Sequence, residues 1–206
     1  MEHKVAVLLD GGFVTKRIQY LTKKTSPTAA DVLKFAHKCV FDGEELFRVY
    51  YYDCPPWGGT LVNPIDKTSV DFSKTPQFQA RNQFLNDLAV ANHLAVRRGE
   101  LKCSGWRIKS FAARQMMKTG RAMNAGDLEP DFRQKRVDTK IGLDVAWLAS
   151  KHIVDAIILV SGDSDFAPAL KFARREGVRV ITVPMEASTF PASLREHADE
   201  VRDVSP

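Results

Sequence analysis

Two uninterrupted apolar runs, Val5–Leu9 and Ala156–Val160, each end directly in a turn that carries acid. The first runs into Asp10-Gly11-Gly12 and the second into Ser161-Gly162-Asp163-Ser164-Asp165. A strand without polar alternation is buried on both faces, the mark of a parallel sheet covered by helices. Val178–Val183, stopped by Pro184, reads as another buried strand. Amphipathic patterns separate them: Phe13, Val14, Ile18 and Leu21; Val32, Phe35, Ala36, Cys39 and Val40; Ile141, Val145, Leu148 and Ala149. Thr28 and Asp31 have capping-box spacing ahead of the second pattern. Strands alternating with helices predict an α/β fold, a mostly parallel central sheet flanked by helices on both faces.

The middle of the chain is less regular. Leu46–Tyr52 reads as a strand, and Asp53–Pro76, with five prolines and glycines before Pro76, as a long surface loop. Phe78–His93 reads as a helix, and Ala95–Leu101 with Trp106–Ser110 as a hairpin. Arg114–Arg133 has weak periodicity and reads as flexible or substrate-facing, and Phe166–Glu176 as a helix ended by Gly177. Asp199–Pro206 is expected to fray.

Charge is uneven. Arg97–Lys140 holds 12 basic and 5 acidic residues, whereas the rest of the chain is slightly acidic. Between Leu101 and Gly126 there is no acid, while Lys102, Arg107, Lys109, Arg114, Lys118 and Arg121 all occur there, interleaved with Trp106 and Phe111. Cations among aromatic rings suit a phosphate backbone and its bases, although a solvated basic face has the same composition.

Several chemistries are excluded. The longest apolar stretch, near Ile153–Val160, is far short of the ~20 residues of a membrane span, and the start of the chain does not read as a signal peptide. Three cysteines with no CxxC pair, Cys39, Cys54 and Cys103, predict reduced thiols in a cytoplasmic protein. The chain has neither GxxxxGK[ST] nor GxGxxG, and Phe166 stands where a GxSxG elbow needs its second glycine. His152 and His197 lack ligand spacing and read as structural or surface residues.

Open parallel sheets bind ligands beyond the carboxyl ends of their strands, where the strand order reverses. If the runs ending at Leu9 and Val160 are neighbours, Asp10, Asp163 and Asp165 converge. Asp138 opens the helix before the second run, and Asp144 lies about 120° further round that helix. Each acid alone also suits a turn or a helix cap. Gathered together they repel one another unless a divalent cation intervenes, and Mg²⁺ takes such hard oxygen ligands. Acids at strand ends and a basic, aromatic segment together suggest phosphodiester hydrolysis.

The segments VAVLLDGGF, KRVDTKIGLDVAWLA and VDAIILVSGDSDFAPALKFARREGVRVITV, in this order, resemble the NYN domain, in its LabA-like branch of PIN-like nucleases. The resemblance implies a PIN-like sandwich over residues 1–198, a divergent insertion around 53–132 and a tail at 199–206. It also implies an Mg²⁺- or Mn²⁺-dependent endoribonuclease. Asp10, Asp138, Asp163, Asp165 and Asp144 match the family's acids, the first four as metal ligands, and hydrolysis would leave 5′-phosphate and 3′-hydroxyl ends. Ser161 and Thr139 would position water or a phosphate oxygen. Arg136, Lys140, the six cations from Lys102 to Arg121, and Trp106 would meet RNA. Members commonly carry Asn three residues after the first acid, where this chain has Phe13. That departure motivates a second expectation, an RNA-binding or regulatory module of the same fold. Self-association is left open.

Overall fold

The computed structural model describes residues 3–206. In chain order the strands and helices are β1 (His3–Asp10), α1 (Gly11–Thr22), α2 (Ala29–Lys38), β2 (Glu44–Asp53), β3 (Thr60–Val62), β4 (Ser69–Asp71) and α3 (Pro76–Ala89). They continue as β5 (Leu94–Arg98), β6 (Glu100–Ile108), α4 (Ser110–Thr119), β7 (Leu128–Lys135), α5 (Val137–Ser150) and β8 (Ala156–Val160). The last four are α6 (Ala167–Arg175), β9 (Arg179–Thr182), α7 (Ala192–Glu196) and β10 (Glu200–Val201). Contacts divide them into two compact units, Met1–Asp53 with Phe84–Gly99 and Arg136–Pro206, and Cys54–Gln83 with Glu100–Lys135.

The first unit holds a six-stranded sheet in the order β10-β9-β8-β1-β2-β5, with every pairing parallel. The two apolar runs are adjacent, with Leu9 opposite Val160. From β1 the chain adds β2 and β5 on one side and β8, β9 and β10 on the other, so the order reverses between β1 and β8. Period-two alternation sends Val5, Val7 and Leu9 to one face, where they pack with Val14 and Ile18 of α1, Phe35 of α2 and Leu85 and Leu88 of α3. On the other face the Tyr52 hydroxyl reaches Asp144 of α5. Each fully buried side chain of this size contributes about 1.5–3 kcal/mol, and all five residues of β8 are buried. The capping box at Thr28 and Asp31 is formed.

The C-terminal residues do not fray. Glu200 and Val201 extend the sheet beside β9, Val204 joins the core, and Arg202 is only 4% exposed. Arg202 donates to Glu44, to Glu200 and to the Cys39 carbonyl, and lies over the Phe41 ring. Its main partner is 158 residues away, which no local reading of a polar tail can find.

The second unit corrects the expected central hairpin. Residues 94–98 belong to the parallel sheet as β5, and β6 pairs antiparallel with β7, drawn from the segment expected to be flexible. The expected long loop contains the β3–β4 hairpin. Trp57, Phe72 and Phe132 form this unit's aromatic cluster, with ring centroids 5.5–5.9 Å apart. A side chain on Gly59 would strike the Trp57 ring. Among the described residues no helix is long and apolar enough to cross a membrane, and the three cysteines are free thiols.

Candidate active site

Asp10 closes β1 and caps α1. Its Oδ1 accepts from the Phe13 backbone N–H at 3.2 Å, and its Oδ2 accepts from the Ser161 hydroxyl at 2.9 Å. Ser161, the first residue beyond β8, is 1% exposed, and its Oγ also accepts from the Asp163 N–H at 3.2 Å. Asp163 in turn accepts from the Asp165 N–H at 2.9 Å and caps the 3₁₀ turn 164–166. Asp138 lies in the first turn of α5, after Arg136 at φ +69°. Asp10 and Asp138 thus stand at the starts of helices, where the helix dipole favours negative charge.

The electrostatics bring these acids together. Burial raises the Asp138 carboxyl above its ordinary value, and the charges of Asp163, Asp10 and Asp165 raise it further. Burial also raises Asp10, against the stabilising bonds from Phe13 and Ser161, and Asp53 adds to the rise. Across the two carboxyls the largest causes are burial, hydrogen bonds and neighbouring acids. Asp138 therefore lies within the field of the three strand-end acids. They do not form a closed cage: among the described residues no three His, Cys, Asp or Glu side chains are grouped to hold a metal ion.

Asp144 faces a different environment. Its carboxylate accepts from Arg97 Nε at 2.8 Å and from the Tyr52 hydroxyl at 2.9 Å. It is not among the charges that raise Asp138. Burial and the Asp144 charge together push the Tyr52 phenol well above its ordinary value. Arg97 also stacks on the Tyr50 ring, so Asp144 ties α5 to β2 and β5.

Asp53 was not legible as part of this region. It ends β2, is 3% exposed, and accepts from the Tyr51 hydroxyl at 3.1 Å. The signal that could have found it is the one that marked Asp10, an apolar strand running straight into an acid. A Cβ on Gly11 would lie 2.6 Å from Asp53 Oδ2 and from the Tyr51 ring, so only glycine fits there. Gly162 is constrained in the same way by the Phe13 ring, 2.7 Å from a built Cβ. The bond that orients Asp10 comes from the residue-13 backbone and needs no asparagine side chain.

Thr139 and Lys140 follow Asp138 in the opening turn of α5. The remaining basic residues belong to the second unit, and most have partners. Arg107 pairs with Glu129 at 2.9 Å, Lys102 with Glu100 at 3.8 Å and Arg121 with Asp127 at 2.7 Å, while Lys109 donates to the Gly126 carbonyl. The Trp106 indole donates to the Val62 carbonyl at 2.9 Å, a structural use of that ring. Arg114 and Lys118, both on α4, have no ion pair among the described residues.

A parallel α/β sandwich with carboxylates at its topological switch point has the architecture of the PIN-like nucleases. The chain belongs to the NYN domain family, whose model matches residues 4–205. Members of this family are generally nucleases, and typically use divalent metals. An uncharacterised protein of Methanocaldococcus jannaschii is 26% identical over 121 residues, a match covering 59% of this chain and 49% of that protein. The match therefore spans about half the length of that relative. A crystal structure of a protein of unknown function from Vibrio parahaemolyticus has a TM-score of 0.53 at 17% identity, covering 97% of this chain and 91% of the other. That likeness shows the shared fold.

Proposed function

We propose that the chain is an Mg²⁺- or Mn²⁺-dependent endoribonuclease. The observation that carries this reading is the placing of Asp10, Asp163 and Asp165 at the reversal of strand order, with Asp138 in their field. The donor set fits a hard divalent cation. Mg²⁺ keeps several waters and takes only one or two carboxylates directly, so acids spaced more openly than a closed cage suit it.

Asp10 and Asp163 would hold the ion, with Asp138 and Asp165 completing the acidic shell. When bound, such an ion supplies Lewis-acid stabilisation of charge on the phosphate. Asp138, with its raised affinity for protons, takes the proton of the attacking water. Water adds to phosphorus, the bond to the 3′ oxygen breaks, and that oxygen takes a proton from solvent and leaves as a 3′-hydroxyl opposite a 5′-phosphate, while Asp138 returns its proton to solvent. Ser161 positions the two acids it bridges. Asp144 positions α5 through Arg97 and Tyr52. Arg136, Thr139 and Lys140 meet the phosphate backbone.

Phe13 in the place of the family asparagine favours a second reading, a module that binds RNA without cutting it. Full-length protein incubated with labelled RNA separates the two. The enzyme cleaves with Mg²⁺ or Mn²⁺, stops with EDTA, and is inactive as Asp10→Asn. RNA bound but intact under both metals overturns the enzymatic reading.

A further inference from the structure

We infer that the outer face of α4 is a stacking platform for single-stranded RNA. This inference rests on the reading of the chain as a protein that acts on RNA. Of the six cations between Leu101 and Gly126, Arg114 and Lys118 are the two without an ion pair or carbonyl bond among the described residues. Both are on α4, at positions i+3 and i+7 from Phe111. At 100° per residue the three fall within about 60° of one another, along about 10 Å of helix. Ala112, on another side of the helix, is buried, whereas Phe111 is 71% exposed.

A ring left this bare gains little from burial, and its face is open to a ligand. Two free cations beside it complement a phosphate backbone, and the ring supplies a face on which a base can stack. The combination selects an unpaired strand. In a duplex the bases are stacked on each other and offer no free face, whereas single strands splay their bases onto aromatic side chains. Trp106, the other aromatic residue of the basic segment, is held by its bond to Val62. That leaves Phe111 as the ring free to stack.

Fluorescence anisotropy on the full chain in EDTA tests this, with labelled oligouridylate either single-stranded or annealed to oligoadenylate. Metal-free binding is independent of cleavage. Phe111→Ala is expected to weaken single-strand binding about tenfold and to leave duplex binding within twofold, while Phe111→Trp retains affinity. Arg114→Ala with Lys118→Ala is expected to flatten the salt dependence of single-strand binding by about 1.4 in log–log slope. Duplex bound as tightly as the single strand, or Phe111→Ala without effect, overturns the inference. Cleavage that is absent while these binding effects hold overturns the nuclease reading alone. Cleavage with KM unchanged in Phe111→Ala overturns the platform alone.

Discussion

Glu44 and Glu200 sit around Arg202 in one part of the sheet unit, and Asp10 and Asp138 sit near Asp163 and Asp165 in another, and the two groups are pushed in opposite directions. Burial would raise Glu44, but Arg202 and the Phe41 N–H bring it below its ordinary value; hydrogen bonding to Arg202 lowers Glu200. Asp10 and Asp138 are raised, with burial the largest cause. Arg202 is the counter-cation of the first group, whereas the causes that dominate in the second are burial and the charges of neighbouring acids. That contrast is what motivates the proposal of a divalent cation at the second group.

Removing the built-in cation should give the largest effect. Arg202→Ala leaves the buried Glu44 with only Arg179 at 3.9 Å and the Phe41 N–H as partners, and breaking such a buried pair destabilises by about 3–5 kcal/mol. Chemical denaturation measures this, and a loss below about 1 kcal/mol would mean that the pair behaves like an exposed one. Adding the proposed divalent cation should come next. Mg²⁺ or Mn²⁺ at a hundredfold excess over Kd adds about 2.7 kcal/mol. For a chain of this size that raises Tm by roughly 5–10 °C, and a flat Tm would contradict the site.

Neutralising a strand-end acid should have a smaller effect, opposite in sign to that of Arg202→Ala. A raised carboxyl is favoured in its protonated form by the fold, so its contribution falls as pH rises from its ordinary value through the raised one. Metal-free Asp10→Asn should therefore be more stable than the native chain at pH 7, by about 1.4 kcal/mol for each pH unit by which the native carboxyl is raised. The gain should vanish at low pH, where Asp10 is protonated in both the folded and unfolded states. Glu44 and Glu200 carry the reverse sign: their stabilisation is present above the ordinary value and is lost as pH falls through the lowered one. Asp144→Asn, which weakens a half-exposed ion pair, should lose about 1 kcal/mol in melting experiments.

The placement of the acids was legible where a local pattern has one meaning. Fully apolar strands running into acid-bearing turns put Asp10, Asp163 and Asp165 at strand ends, and β1 and β8 are neighbours as expected. Asp144 matched a family acid in sequence, although not as a metal ligand, and Arg97 and Tyr52 reach it from strands far away in the chain. Helical spacing cannot reveal a partner 47 residues off. The docked C-terminus failed for the same reason, through Arg202 and Glu44. The β6–β7 ribbon was hidden because residues 95–108 hold two strands that pair with different sheets, separated by Gly99 alone. Compositional bias picked out residues 102–121 as basic, but could not tell paired cations from the free pair on α4.

The most direct measurement is Mn²⁺ binding by the metal-free full chain, followed through the loss of the free Mn²⁺ electron paramagnetic resonance signal. Native protein and Asp144→Asn should both take up the ion, with affinities within a few-fold, while Asp10→Asn and Asp163→Asn should not. Native protein that leaves the Mn²⁺ signal unchanged at millimolar concentrations would contradict the claim that these acids share a divalent cation.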